Sequence, residues 1–205
     1  MDKSSLEYGW YYHIYNRGNN SETLFKEPDN YKYFLSLYEK YIDPIADTLA
    51  YCLMSNHFHL VIKTKEERDI KSFSELHMFD GNAKGLKTDR KPTPSMQFAH
   101  LFDAYSKAIN KRYGRTGSLF EHPFERRMID NEPYLQRSIS YVHYNPVNAR
   151  VAKTLAGYPW SSYNALISEK PTHVNRELVM KIFGDRDYFI FYHSDTPSQS
   201  EFEDL

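Results

Sequence analysis

An α+β fold, with helices packed on one face of an antiparallel sheet, is what this 205-residue sequence predicts. Three observations lead there. Apolar residues recur at three- and four-residue spacing in several stretches, the pattern of amphipathic helices. Other stretches are rich in strand formers and bounded by turn residues. Two of these are joined by only Ser55-Asn56, a connection that antiparallel strands can make and parallel strands cannot. The order strand, helix, hairpin, helix, strand, helix suits one sheet in one domain. No internal repeat interrupts it.

The first strand is Trp10–Arg17, ended by the turn signal Gly18. Pro28-Asp29-Asn30 opens a helix in which Tyr31, Phe34, Leu35, Tyr38, Tyr41 and Ile42 share a face. Thr48–Met54 and Phe58–Thr64 form the hairpin. In its second strand Phe58, Leu60 and Ile62 alternate with His59, Val61 and Lys63. The chain then turns polar from Lys65 to Pro94, a long loop carrying Lys84, Lys87, Arg90 and Lys91. A second helix runs over Met96–Tyr113, capped by Ser95 and stopped by Gly114. A strand over about Leu119–Ile129 follows, and Asp130-Asn131 caps a helix entered through Pro133. Pro146 disfavours the helical conformation at Asn145 and is expected to end that helix there. An irregular aromatic stretch, Tyr158–Tyr163, precedes a short helix near Glu177–Phe183, and an acidic tail runs from Ser194 to Leu205.

Composition narrows the function. The 26 Lys and Arg nearly cancel the 27 Asp and Glu, which excludes a uniformly basic nucleic-acid binder but not a basic face. Charge is unevenly placed: Lys84–Arg127 holds ten Lys and Arg against four Asp and Glu, whereas the chain from Ile167 onward holds eight acids against four bases. A single cysteine, Cys52, allows no internal disulfide. The first residues lack the layout of a signal peptide, and no run approaches the ~20 apolar residues of a spanning helix. The expectation is a cytoplasmic protein. Aromatic content is high, with 18 Tyr, 13 Phe and 2 Trp. Most of these rings belong in a core.

Two motifs carry chemistry. In Ser55-Asn56-His57-Phe58-His59-Leu60, alternation puts His57 and His59 on one face of a strand and Phe58 on the other. Two adjacent imidazoles suit a divalent metal but leave it short of ligands. Alone, such a pair is more often one of surface or hydrogen-bonded histidines. In Tyr141-Val142-His143-Tyr144-Asn145-Pro146, helical spacing aligns Tyr141 with Asn145, in a stripe with Tyr134 and Ser138, beside a packing stripe of Leu135, Ile139 and Val142. Taken together, His57, His59 and the Asn145 amide oxygen could hold a metal that polarises a phosphodiester, and Tyr141 could attack its phosphorus. The spacing leaves the identity of the metal open.

These motifs resemble those of the single-tyrosine HUH transposases, closest to the branch of REP-associated tyrosine transposases. Leu53–His59, Gly117-Ser118-Leu119-Phe120, Tyr141–Val147 and Tyr158–Tyr163 carry the resemblance, which covers about residues 8–165. It implies a ferredoxin-like antiparallel sheet with the His pair on a central strand. It also implies His57 and His59 as ligands of Mg²⁺ or Mn²⁺, Asn145 as the third, and Tyr141 as nucleophile. The implied substrate is single-stranded DNA, often beside a hairpin, cut to a 5′-phosphotyrosine and a free 3′-OH. Members of the family work as monomers or homodimers, so Tyr141 could serve its own His57 or a neighbour's. The insertion-sequence members more often carry Gln at the third-ligand position, and Asn145 points instead to the REP-associated branch. The expected division is a transposase-like domain over 1–165 and a helical extension with acidic tail over 166–205.

Candidate phosphate contacts are Arg17, Lys111, Arg112, Arg115, Arg126 and Arg127. Tyr12, Tyr15 and Phe120 are candidate platforms for unpaired bases. Two other functions compete. One is a domesticated relative that binds structured DNA without cutting it. The other is a hydrolase whose His pair activates water, but the sequence places no Asp or Glu base beside that pair.

Overall fold

The computed structural model describes residues 5–76 and 89–194. Its elements are β1 (Tyr11–Arg17), α1 (Pro28–Tyr41), β2 (Ala46–Leu53), β3 (His57–Thr64), α2 (Pro94–Tyr113), β4 (Glu125–Ile129), α3 (Glu132–Asn148), α4 (Tyr163–Ile167), α5 (Arg176–Phe183) and α6 (Arg186–Tyr192). The four strands form one antiparallel sheet in the order β2-β3-β1-β4, the ferredoxin-like arrangement. The two central strands, β1 and β3, pair from Tyr11↔Lys63 to Arg17↔His57. Lys84, Lys87 and the tail beyond Ser194 lie outside the described residues.

Helices cover both faces of this sheet, where a single face was expected. Alternation along β1 and β3 sends Tyr12, Ile14, Phe58, Leu60 and Ile62 into a core with Phe34 of α1 and Phe98, Phe102 and Tyr105 of α2. Val61 of β3 and Leu49 and Cys52 of β2 face the other way. They pack with Leu135, Ile139 and Val142 of α3, Val179 and Phe183 of α5 and Phe189 of α6. Both faces are covered because β2 and β3 each place residues in the two cores, which a search for one buried face misses.

Other boundaries also differ. Ser95 sits inside α2, where its Oγ accepts the Leu6 N–H at 2.9 Å; Thr93 is the N-cap residue, with no side-chain bond. Gly114 ends α2 with φ +60°, as its position predicts. β4 begins only at Glu125, since Phe120 makes one isolated bridge with Gly18 and Pro123, after a cis peptide, has no N–H for a ladder. α3 runs through Pro146 to Asn148: the missing N–H costs one bond, while the Asn145 carbonyl accepts from Ala149 and the Pro146 carbonyl from Val151. Asn145 therefore stays helical, on the same face as Tyr141. α6 was not expected, although Asp185 caps it by accepting the Tyr188 N–H at 2.7 Å.

A buried hydrogen-bond chain ties α3 to α6. His193 Nδ1 lies 2.8 Å from the Phe189 carbonyl, which can only accept, so Nδ1 holds the proton. His193 Nε2 then accepts from His143 Nδ1 at 3.0 Å, and His143 Nε2 accepts from Ser162 Oγ at 2.9 Å. Both rings are neutral in this chain. Burial holds the His193 pKa at about 4 and that of His143 well below the ordinary value. A depressed folded-state pKa contributes stability that is complete above the unfolded value of about 6.5 and lost as pH falls. Unfolding midpoints in urea are thus expected to fall between pH 6.5 and about 4, less steeply in His193→Gln. Equal slopes in the two proteins would refute this.

Candidate active site

The hairpin and α3 bring the two motifs together within one chain. His57 and His59, on β3, face the layer that holds α3. Asn131 caps α3 by accepting the Tyr134 N–H, and its apolar stripe seats it on that face. One helical turn then aligns Tyr141 and Asn145 over the imidazoles. His57 Nε2 is 3.0 Å from Asn145 Oδ1. The Tyr141 ring stands edge-on to His59, with centroids 5.2 Å apart. The Asn145 amide also hydrogen-bonds the Tyr141 hydroxyl, so one side chain bridges tyrosine and histidine. His57 and His59 are themselves 5.3 Å apart between centroids.

Burial governs the electrostatics. It pushes the pKa of His59 well down, with His13 and His57 adding to the effect. It lowers His57 as well, against the Asn145 hydrogen bond, which raises it, and with help from Arg17. Both rings are therefore neutral at pH 7, the state a metal ligand requires. Tyr141 is raised by burial, while the Asn145 bond and the Arg127 charge pull it back.

Two imidazoles and an amide oxygen are donors a divalent cation could use. His57 faces a carbonyl oxygen at each nitrogen, Asn56 Oδ1 at 2.8 Å and Asn145 Oδ1 at 3.0 Å. A neutral imidazole has one proton, so one of these contacts sets two lone pairs face to face. His57 Nε2 and Asn145 Oδ1 are the two atoms that would offer lone pairs to a cation. Among the described residues no three His, Cys, Asp or Glu gather to hold a metal; the oxygen beside His57 Nε2 is the Asn145 amide, a donor type that Mg²⁺ or Mn²⁺ accepts.

A cleft of about 470 Å³ opens beside the pair, lined by Tyr15, Arg17, His57, His59, Glu121 and Glu125. The two glutamates were not anticipated: they come from the segment around β4, distant in sequence, and β1 pairing sets Glu125 beside Tyr15. His13 was also missed. It stacks on His59 at 5.1 Å, and its place two residues before Tyr15 in β1 is the signal that could have found it.

The basic candidates are dispersed. Arg127 hydrogen-bonds Tyr15 and Tyr134, on the α3 face. Arg126 projects to the other face, over the Phe124 ring at 4.8 Å. Arg17 borders the cleft and pairs with Glu121 at 3.5 Å. At the end of α2, Lys111 is exposed, Arg112 pairs with Glu27 at 2.7 Å, and Arg115 pairs with Glu22. The basic excess read along the chain is thus partly offset by acids from other segments. Tyr12 and Phe120 are core residues and offer no face to a base; Tyr15 stacks on His59 at 5.7 Å.

No protein-family model matches the chain, and no curated protein matches it. Two solved structures are similar. One is a REP-associated tyrosine transposase bound to a REP hairpin, with a TM-score of 0.57 and 13% identity, covering 83% of this chain and 89% of that one. The other, a bacterial tRNA(His) guanylyltransferase-like protein in complex with GTP, has a TM-score of 0.37 and 11% identity over 73% of this chain and 71% of that one, too slight to carry an argument. Among the described residues no helix is long and apolar enough to cross a membrane.

Removal of the bridging amide tests the geometry. Asn145→Ala is expected to lower the His57 pKa and raise that of Tyr141, because the lost bonds raise the first and lower the second. NMR titration of the two rings reads both shifts; unchanged curves would show that the amide couples to neither. The chain shares its fold with a hairpin-bound tyrosine transposase and gathers a histidine pair, an amide and a phenol on one face of that fold.

Proposed function

We propose that this chain is a metal-dependent endonuclease and strand-transferase, transposase-like, acting on single-stranded or hairpin DNA. The observation that carries the reading is Tyr141 set against His59, with Asn145 linking it to His57. His57, His59 and Asn145 would hold Mg²⁺ or Mn²⁺, which when bound stabilises charge developing on a phosphodiester. Tyr141 Oη attacks phosphorus and loses its proton; the bond to the 3′ oxygen breaks, and that oxygen leaves as a hydroxyl. The new phosphotyrosine keeps the bond energy, so a 3′-OH can reverse the step. Arg127, which lowers the Tyr141 pKa, stabilises the phenolate. Arg17, which lines the cleft, would meet a phosphate.

Glu121 and Glu125 favour a second reading, a hydrolase in which a carboxylate and the His pair activate water. One experiment separates these readings. A labelled hairpin oligonucleotide with a single-stranded flank is incubated with Mg²⁺ or Mn²⁺ and denatured in SDS. The expected product is a covalent protein–DNA adduct that falls to background in Tyr141→Phe and in His57→Ala/His59→Ala. Equal adduct in Tyr141→Phe rules out that nucleophile. Cleavage without adduct, indifferent to Tyr141→Phe, identifies the hydrolase, and salt-sensitive binding without cleavage identifies a DNA-binding protein.

A further inference from the structure

A third imidazole stands behind the histidine pair. His13 lies on β1, fully buried, with Nε2 2.9 Å from His59 Nδ1. Its other nitrogen, Nδ1, is buried with no hydrogen-bond partner among the described residues. Buried polar atoms are nearly always paired, so this one needs a reason.

Counting protons shows the two settings open to the pair. A neutral imidazole carries one N–H. For His59 to offer a lone pair at Nε2, its proton must sit on Nδ1, and the acceptor there is His13 Nε2. The His13 proton is then on Nδ1, the orphaned atom. In the opposite arrangement His13 Nε2–H donates to His59 Nδ1, and the His59 proton occupies Nε2, where it blocks a ligand. The two rings have two tautomeric settings, and one of them leaves His59 open.

We propose that His13 is a positioning residue for the cation site, accepting the Nδ1–H of His59 so that His59 Nε2 is presented as a ligand. The inference rests on the reading of His57, His59 and Asn145 as a cation site. His13 Nδ1 has no partner among the described residues in either setting; in the proposed one it carries the proton that otherwise sits on His59 Nε2. Tyr15 and Tyr141 contact the His59 ring by stacking and by an edge, respectively. Its only hydrogen bond among the described residues is to His13. Partners of this kind behind a ligating histidine typically set metal affinity by about 10–100-fold.

The test uses the full chain and Mn²⁺ alone, with binding followed by electron paramagnetic resonance of the free ion. His13→Phe keeps a ring in the space and removes the acceptor. It is expected to weaken Mn²⁺ binding about 10–100-fold. His13→Gln, which returns an acceptor at similar reach, is expected to recover most of the loss. In the wild-type chain with Mg²⁺, ¹⁵N NMR is expected to find the His59 proton on Nδ1. Wild-type affinity in His13→Phe overturns the inference and leaves the cation site standing. A His59 proton on Nε2 in the Mg²⁺-bound wild type does the same, without need of any variant. If His57→Ala/His59→Ala binds Mn²⁺ as tightly as wild type, the cation site falls and this inference with it.

Discussion

Strand β3 is buried on both faces, and its side chains are divided between two cores. Phe58, Leu60 and Ile62 belong to the layer of α1 and α2, while Val61 belongs to the layer of α3. His57 and His59 share the second face at the end of the strand, where the apolar layer gives way to a cleft. The strict alternation of a strand means that the rings cannot turn away without pulling Phe58 out of its core. Because Phe58 is wholly buried, that anchoring is strong, and the imidazole geometry is inherited from the packing on the opposite side of the sheet.

The helix that completes the cluster is held as firmly. Its apolar stripe seats on β2 and β3, and the His143–His193 chain fastens its far side to α6. Residues beyond 165 thus support the layer in which α3 lies: Val179, Phe183 and Phe189 share its core. Tyr141 and Asn145 project from the opposite flank of the same turn. Two rigid supports, one sheet and one helix, therefore meet at the cluster, an arrangement suited to holding donors in fixed relation.

Charge at the cluster is set by burial more than by counter-ions. Burial keeps the rings of His13, His57 and His59 neutral, and Tyr15 and Tyr141 pack against those of His13 and His59. Arginines nearby add to this, Arg127 toward His13 and Arg17 toward His57. Elsewhere Arg112 and Arg115 are matched by Glu27 and Glu22 from an earlier segment, so a charge tally along the chain overstates the basic face.

Much of this was legible in the sequence, for reasons that are local. Period-two and period-three-to-four patterns report which side chains share a face, so the hairpin, the pairing of His57 with His59 and the alignment of Tyr141 with Asn145 could be read directly. The layer that each face joins could not. Whether α3 lies with α1 and α2 or across the sheet from them depends on long-range packing, and both faces of the sheet are apolar. The glutamates of the cleft and the His13 contact depend on strand order and register, which pair Tyr15 with both His59 and Glu125. Local sequence determined the donors; the tertiary fold decided their neighbours, because neighbours are set by contacts between segments that no short window contains.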